Sequence, residues 1–398
     1  MNSSKNYTSF IETIQTLGCI GWVKGQGLQR EAYSDAFFQA RDWLQKRMED
    51  IGLEVRVDKV GNLFGRFSGK SDSIILTGSH LDSVHNGGKY DGAVGVVAGL
   101  EVLRRLKENN YQPHNSLEVV AFAAEEAGPL DGVFGSRCFS GRFPVEKNET
   151  IKHYGFSKQD IIESVGDLAK YRAFLELHVE QGPSLDCRNL PIGIPTGIAA
   201  IKRYMISFFG EMNHAGTTPM ATRKDSLRAA ADLIHKWFLW MDQQKNDLNC
   251  NIGIINVTPG FASVIPNKAE FCLELRSQSD DILEQAENEL YKLLKDVARC
   301  RTSVKLIGYK EGGKMNKNLQ KIIASACDKN KMEYIYMTSG ASHDANPLSF
   351  VIPTGMIFIP SKNGISHAKG EFTSVKDMIN GFKVLYDTIV MLDNNFSE

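Results

Sequence analysis

Three short apolar runs, each ending in groups that can bind a metal or move a proton, constrain this chain more than any other feature. Ile74-Ile75-Leu76 reads as a buried strand and runs into residues 78–92, which carry His80, Asp82, His85 and Asp91. Residues 117–124 form a second buried strand that ends in Glu125-Glu126, and Phe174-Leu-Glu-Leu-His178 forms a third. Helical patterns lie among them. Residues 34–51 place Phe37, Ala40, Leu44, Met48 and Ile51 on one stripe, with Gly52 as a C-terminal cap, and residues 94–106 make a further helix. Alternating strands and helices argue for an α/β sheet covered on both faces, with its site at the strand ends.

Near residue 200 the pattern changes. A strand at 203–210, a helix at 226–241, strands at 252–257 and 269–276, a helix at 282–298 and a strand at 303–307 give the order of a ferredoxin-like unit. The α/β pattern then resumes with a helix at 319–328, strands at 334–337 and 354–359, and a helix at 375–392. The expected organisation is a discontinuous main domain, residues 1–199 and 310–398, split by an inserted module of residues 200–309.

Composition narrows the class of partner. A net charge of -1, with lysine and arginine scattered, argues against nucleic acid and against an anionic membrane. The 7 cysteines are dispersed and never form a Cys-x-x-Cys pair, which reads as reduced thiols. The first residues lack the apolar core of a signal peptide, and no stretch reaches transmembrane length. A cytoplasmic enzyme is the expectation.

His80, Asp82 and Asp91 within a dozen residues suit a borderline cation such as zinc, although histidine and aspartate also cap helices and turns. Glu125-Glu126 adds a second signal. If one carboxylate binds a metal, its neighbour is free to act as base on a water whose pKa the cation lowers from ~16 to about 7. His178 and His367 complete the set. Any lone histidine is more often a satisfied core or turn residue, but several at strand and loop ends weaken that reading.

Gly-Ser-His80-Leu-Asp82-Ser, Gly-Gly-Lys-Tyr-Asp91-Gly, Glu125-Glu126, Leu-His178-Val-Glu-Gln181-Gly-Pro, Asn213-His214-Ala-Gly-Thr-Thr-Pro-Met, Val264-Ile-Pro-Asn267, Ser339-Gly-Ala-Ser-His343-Asp-Ala and Ser366-His367 occur in this order along nearly the whole chain. Together they resemble the hydantoinase/carbamoylase amidases, relatives of zinc aminoacylases and dinuclear carboxypeptidases. The resemblance implies an α/β zinc-peptidase-like catalytic domain, a mixed sheet flanked by helices, with the ferredoxin-like βαββαβ module as lid and dimerisation domain of a homodimer. It further implies two divalent metal ions, taken as zinc, with manganese, cobalt and nickel equally suited to such ligands. His80 and His178 would hold one ion, Glu126 and His367 the other, with Asp91 bridging and a hydroxide shared between the ions.

By the same resemblance Glu125 would be the general base and then the acid, and Asp82 would orient His80. His214, often supplied by the partner subunit in that family, would help stabilise the oxyanion. Asn267 and Arg276 would clamp a substrate carboxylate, and Gln181 and His343 would make further polar contacts. His85, His114, His153 and His235 match nothing and read as structural or solvent-facing. Departures from the usual pattern fall at Ala127-Gly128-Pro129-Leu130 beside the base, and at His85, Glu274 and Thr338.

The implied reaction is hydrolysis of the carbamoyl (ureido) C–N bond of a small N-carbamoyl-L-amino acid. The alternatives are an allantoate amidohydrolase and an N-acyl amino acid hydrolase or dipeptidase, all of which act on small carboxylate-bearing amides. A non-catalytic metal-binding protein would have no need of Glu125.

Overall fold

The computed structural model describes residues 7–126, 128, 130–145, 148–297 and 300–395. The chain divides into two units, Met1–Ile198 with Gly313–Glu398, and Ala199–Gly312. The first is built on an eight-stranded sheet in the order Tyr334–Ser339, Ile192–Ile198, Thr354–Ile359, Tyr171–Val179, Ser71–His80, Asn115–Phe122, Leu63–Phe67, Glu54–Val57. Four central strands, from Thr354–Ile359 to Asn115–Phe122, run parallel. Leu63–Phe67 and Glu54–Val57 pair antiparallel, so the sheet is mixed.

Side-chain alternation explains the uninterrupted apolar runs. Ile75, Leu117, Val119 and Ala121 point into one core, where helices Thr8–Leu17, Asp35–Asp50, Ala93–Glu108, Lys317–Lys329 and Val375–Asn395 add their apolar stripes. Ile74, Leu76, Val120 and Phe122 point into a second core on the other face. A strand buried on both faces has no solvated position to fill with a polar residue. Local signals fix the helix ends: the Ser34 hydroxyl accepts Phe37 N–H at 3.2 Å, and Gly52 turns the chain out of its helix at φ 71°.

The second unit is a four-stranded antiparallel sheet in the order Asn249–Thr258, Lys268–Ser277, Ala200–Phe209, Arg301–Lys310. Helices Ser226–Met241 and Asp280–Asp296 cover one face, packing Leu233, Trp237, Leu283 and Leu290 on Tyr204, Phe208 and Phe271. This is the βαββαβ order. Ile254, Ile255, Leu306, Ile307 and Tyr309 are exposed on its outer strands.

Among the elements that go beyond the sequence reading are one helix and one strand of the main unit. Helix Thr8–Leu17 buries Phe10, Thr13, Ile14 and Leu17 on one stripe at helical spacing, a short pattern that the sequence reading left out. Strand Ile192–Ile198 contains Gly193, Pro195 and Gly197, residues that argue against a strand. It pairs along its length with Tyr334–Ser339 but only at Gly193 with Phe358 on its other side. A strand laddered fully on one side alone can hold a proline. The helix expected to reach residue 298 ends at Asp296, and residue 298 lies outside the described residues. Among the described residues no helix is long and apolar enough to cross a membrane.

Phe122 is wholly buried and meets Phe64, Phe174 and Phe139 at ring-centroid distances of 6.4, 6.0 and 6.0 Å. Its replacement by alanine is expected to cost about 3–5 kcal/mol of stability, measured by urea denaturation.

Candidate metal centre

Parallel strands bring their C-terminal ends to one edge of the sheet, and the ionisable groups collect there. Thr77 pairs with Leu175, and three residues further along each strand stand His80 and His178. Glu125 and Glu126 follow strand Asn115–Phe122, and His367 lies on the loop after Thr354–Ile359. Asp91 precedes helix Ala93–Glu108. Gly92, at φ 63°, separates them, and a Cβ there would come within 2.5 Å of the His80 ring.

The two ring nitrogens converge. His80 Nδ1 lies 3.0 Å from the Asp82 carbonyl and His178 Nδ1 2.8 Å from the Val179 carbonyl, so each Nδ1 carries a proton and donates it. Both Nε2 atoms then face the same space, 3.4 Å apart. Two imidazoles on a tetrahedral zinc, at Zn–N of ~2.0–2.1 Å, place their nitrogens about 3.3–3.4 Å apart. Asp91 serves both sides. Its Oδ1 lies 3.1 Å from His178 Nε2 and 3.5 Å from His80 Nε2. Its Oδ2 lies 3.3 Å from His367 Nε2, which is 3.5 Å from Glu126 Oε2. Asp91 Oδ1 and Glu126 Oε1 are buried and lack a well-formed hydrogen bond.

Charge makes the same point. Asp82, Asp91, Glu125, Glu176, Asp344 and Glu371 are all buried, with Glu126 nearly so. Burying that many carboxylates without compensating cations would be prohibitive. His80/Asp91/His178 and Asp91/Glu126/His367 each bring three ligand atoms within 4.8 Å of one another. The donor set fits two divalent cations sharing Asp91.

Proton affinities respond to the crowding. Burial pushes Glu125 well above the usual carboxylate range, and the charges of Glu126, Asp344 and Asp82 add to it against the pull of His80. Glu126 is raised to about 7 by burial and then by Asp91. Burial alone would raise Asp91, but the imidazoles of His178, His367 and His80 around it take it well below the usual range. Asp91 raises His367 to about 9. Burial works against charge on His80, yet Glu125, Asp91 and Asp82 lift it well above an ordinary histidine.

Asp82 meets His80, the ring it was expected to orient, through its backbone rather than its side chain. Its backbone carbonyl meets His80 Nδ1, whereas its carboxylate is 4.0 Å from that nitrogen. The carboxylate instead accepts Glu125 N–H at 3.1 Å and Glu126 N–H at 3.0 Å. It fixes a turn that begins at Ala124, a non-glycine residue at φ 56°. Gln181 (φ 59°) and His367 (φ 54°) share that left-handed conformation, sparsely populated and typical of functional sites.

Several supporting residues escaped the sequence reading. Glu371 Oε1 accepts Tyr90 and Asp91 N–H at 2.9 and 3.1 Å, and its Oε2 accepts the Ser366 hydroxyl at 2.9 Å. One carboxylate thus ties the Asp91 segment to the His367 loop. Gly88 must lack a Cβ, which would sit 2.2 Å from that carboxylate. The only signal was Glu371 four residues after His367. Arg30, 0% exposed, donates to the Leu81 and Leu17 carbonyls at 2.8 Å each. Burial lowers its pKa to about 10 against the opposing charge of Asp82.

Gln181 Nε2 lies 2.8 Å from Asp91 Oδ2 and 3.1 Å from His367 Nε2. His343 is buried edge-on against His178, centroids 4.4 Å apart, with its Nε2 2.8 Å from the Ser339 hydroxyl. Burial and then the charge of His178 hold it well below an ordinary histidine pKa. His214, Asn267 and Arg276 belong to the second unit. His214 is exposed on the short strand Asn213–His214, Asn267 Oδ1 is buried without a partner, and Arg276 Nε and Nη2 each lie 2.8 Å from Glu274 Oε1. Glu274 also holds Arg203 at 2.5 Å. His85 meets Glu31 at 2.5 Å on the surface. Ala127 and Pro129 lie outside the described residues.

Comparison with known proteins places this geometry. The sequence pattern of Peptidase family M20/M25/M40 matches residues 76–391. An N-carbamoyl-L-amino-acid amidohydrolase of Pseudomonas sp. (strain NS671) is 35% identical, over 95% of this chain and 96% of its own. An allantoate amidohydrolase of Bacillus subtilis (strain 168) is 34% identical, over 96% and 97%. The crystal structure of an amidase of the hydantoinase/carbamoylase family from Burkholderia multivorans superposes with a TM-score of 0.88 at 28% identity, covering 96% of this chain and 97% of that one.

Metal analysis of the zinc-reconstituted protein is expected to give about two ions per chain, falling to about one in His367→Ala and below one in Asp91→Ala. Glu371→Ala, which touches neither ion, is expected to weaken metal affinity by about 10–100-fold in a chelator-competition titration.

Proposed function

We infer the function from one premise: the chain belongs to Peptidase family M20/M25/M40 and, within it, to the hydantoinase/carbamoylase amidases. It is a metal-dependent amidohydrolase, and its reaction is hydrolysis of the carbamoyl C–N bond of a small N-carbamoyl-L-amino acid. The observation that carries this reading is Asp91, shared between two ligand groups while Glu125 stands beside them.

When bound, a pair of divalent ions lowers the pKa of a shared water and polarises the carbonyl under attack. His80 and His178 would hold one ion, Glu126 and His367 the other, and Asp91 both. We take the ions to be zinc, on the nitrogen and oxygen donors present. Glu125 keeps its carboxylate 3.8 Å from His80 Nε2, within reach of water among the ligands, and it could itself approach an ion together with His80 and Glu126. Burial holds its proton affinity high. With two cations beside it Glu125 would be ionised, and we assign it to accept the proton of the attacking water and return it to the departing nitrogen, which leaves as a neutral amine rather than an anion. Asp82, gripping the Glu125 and Glu126 amides, keeps base and ligand at a fixed offset. With an N-carbamoyl amino acid the products are the amino acid, ammonia and carbon dioxide.

In the second unit we assign His214 to the oxyanion, and Asn267 and Arg276 to the substrate carboxylate. We assign Gln181, against Asp91 and His367, to substrate contact, whereas His343, the other expected polar contact, is buried against His178. The exposed Ile254, Ile255, Leu306, Ile307 and Tyr309 support a homodimer formed through this unit. Allantoate hydrolysis is the second reading, favoured by the Bacillus subtilis relative.

Ammonia release from zinc-loaded protein, measured over N-carbamoyl-L- and D-amino acids, N-carbamoyl-β-alanine and allantoate, is expected to single out an N-carbamoyl-L-amino acid. Glu125→Gln should lower kcat by about 10²–10⁴-fold with metal content unchanged. Ammonia from allantoate alone would move the substrate to the second reading. No release from any ureido acid, with both ions bound, would remove the carbamoyl assignment.

A further inference from the structure

His214 stands on a surface turn that has almost no core to hold it. Residues 211–214, 216, 217, 219 and 220 are exposed, so polar contacts have to fix the conformation. Strand Asn213–His214 pairs antiparallel with Val264–Ile265, and Ala215 N–H donates to the Ser263 carbonyl at 2.9 Å. The chain then folds back on itself. Thr218 donates to the His214 carbonyl twice, from its amide at 3.2 Å and from its hydroxyl at 2.8 Å.

Inside this turn the imidazole lies over its own backbone, and Gly216 N–H donates to His214 Nδ1 at 3.1 Å. A ring nitrogen that accepts a hydrogen bond carries no proton, so neutral His214 must hold its proton on Nε2. Glycine leaves room for the contact: a Cβ at residue 216 would crowd the ring, 3.2 Å from its Cε1. Arg223 closes the turn from outside. Its Nε donates to the Thr218 carbonyl at 3.0 Å and its Nη2 to the Ala215 carbonyl. Those carbonyls flank Gly216 on both sides. A planar guanidinium spans both with one edge, whereas a lysine ammonium would be a single point of attachment.

We propose that Arg223 is a positioning residue for catalysis, which acts through the 215–218 turn to hold His214 as an Nε2–H donor. A developing oxyanion needs a donor already in place, and the opposite tautomer would present a lone pair to it. The proposal rests on the assignment of His214 to the oxyanion. It adds the residue that selects the tautomer and the backbone amide through which it does so.

The test uses the zinc-loaded full chain with ring-¹⁵N-labelled histidine and the ureido substrate on which wild type is active. Wild type is expected to show His214 as a single Nε2–H tautomer at neutral pH, its resonance identified by loss in His214→Ala. Arg223→Ala and Arg223→Lys should each give a mixture of tautomers and lower kcat by about 10-fold or more, below the 10²–10³-fold typical of losing the donor itself. KM, zinc content and melting temperature should stay near wild type. Gly216→Ala, with Arg223 intact, should shift the tautomer in the same way, and it reads the same device if Arg223→Ala fails to fold. If His214→Ala loses kcat but the Arg223 and Gly216 variants keep both tautomer and kcat, the positioning role is wrong while the oxyanion assignment stands. If His214→Ala keeps wild-type kcat, the assignment falls and the proposal falls with it.

Discussion

Everything at the strand ends depends on one carboxylate with two faces. Asp91 presents one oxygen to His80 and His178 and the other to His367. Around it the protein buries further acids among imidazoles able to take up protons, with the buried Arg30 guanidinium feeling the charge of Asp82. Such an arrangement is stable only if positive charge enters it. Histidine proton affinities raised beside Asp91 and carboxylate affinities raised by burial describe the same deficit from two sides.

Precision in that cluster comes from the sheet. Parallel neighbours in register put His80 and His178 side by side, and their Nδ1 contacts with backbone carbonyls aim the opposite nitrogens into one space. The loops are less constrained, and buried acids tie them down. Asp82 fixes the Glu125–Glu126 turn and Glu371 fixes the Asp91 segment to the His367 loop. These acids bind backbone amides rather than ions, so a ligand count made on residue type alone would misplace them. The second unit applies the same economy on the surface, where Arg223 and Gly216 hold an exposed imidazole that no core could orient.

Much of this was legible in one dimension. Apolar runs at residues 74–76 and 117–124 had to be strands buried on both faces, and the change of period near residue 200 announced a separate module. Strand Ile192–Ile198 was not legible, because Pro195 and two glycines erase its signal while pairing on one side supplies the stability. Nor were the left-handed conformations at Ala124 and Gln181, since neither residue favours them, or at His367, since histidine enters that region only in a minority of its occurrences.

By itself the sequence determined which groups are available: apolar runs lead into His80, Glu125, Glu126 and His178, and the motifs shared with a known family add Asp91 and His367. Only the tertiary structure decided what each does. Whether an aspartate bridges, grips an amide or orients a ring depends on which atoms lie within about 3 Å of it, and hydrogen bonding and burial at that range are set by segments distant in the chain. Asp82 and Asp91 are nine residues apart and alike in sequence context. One faces two backbone amides and the other three imidazoles, and that difference separates scaffold from candidate metal ligand.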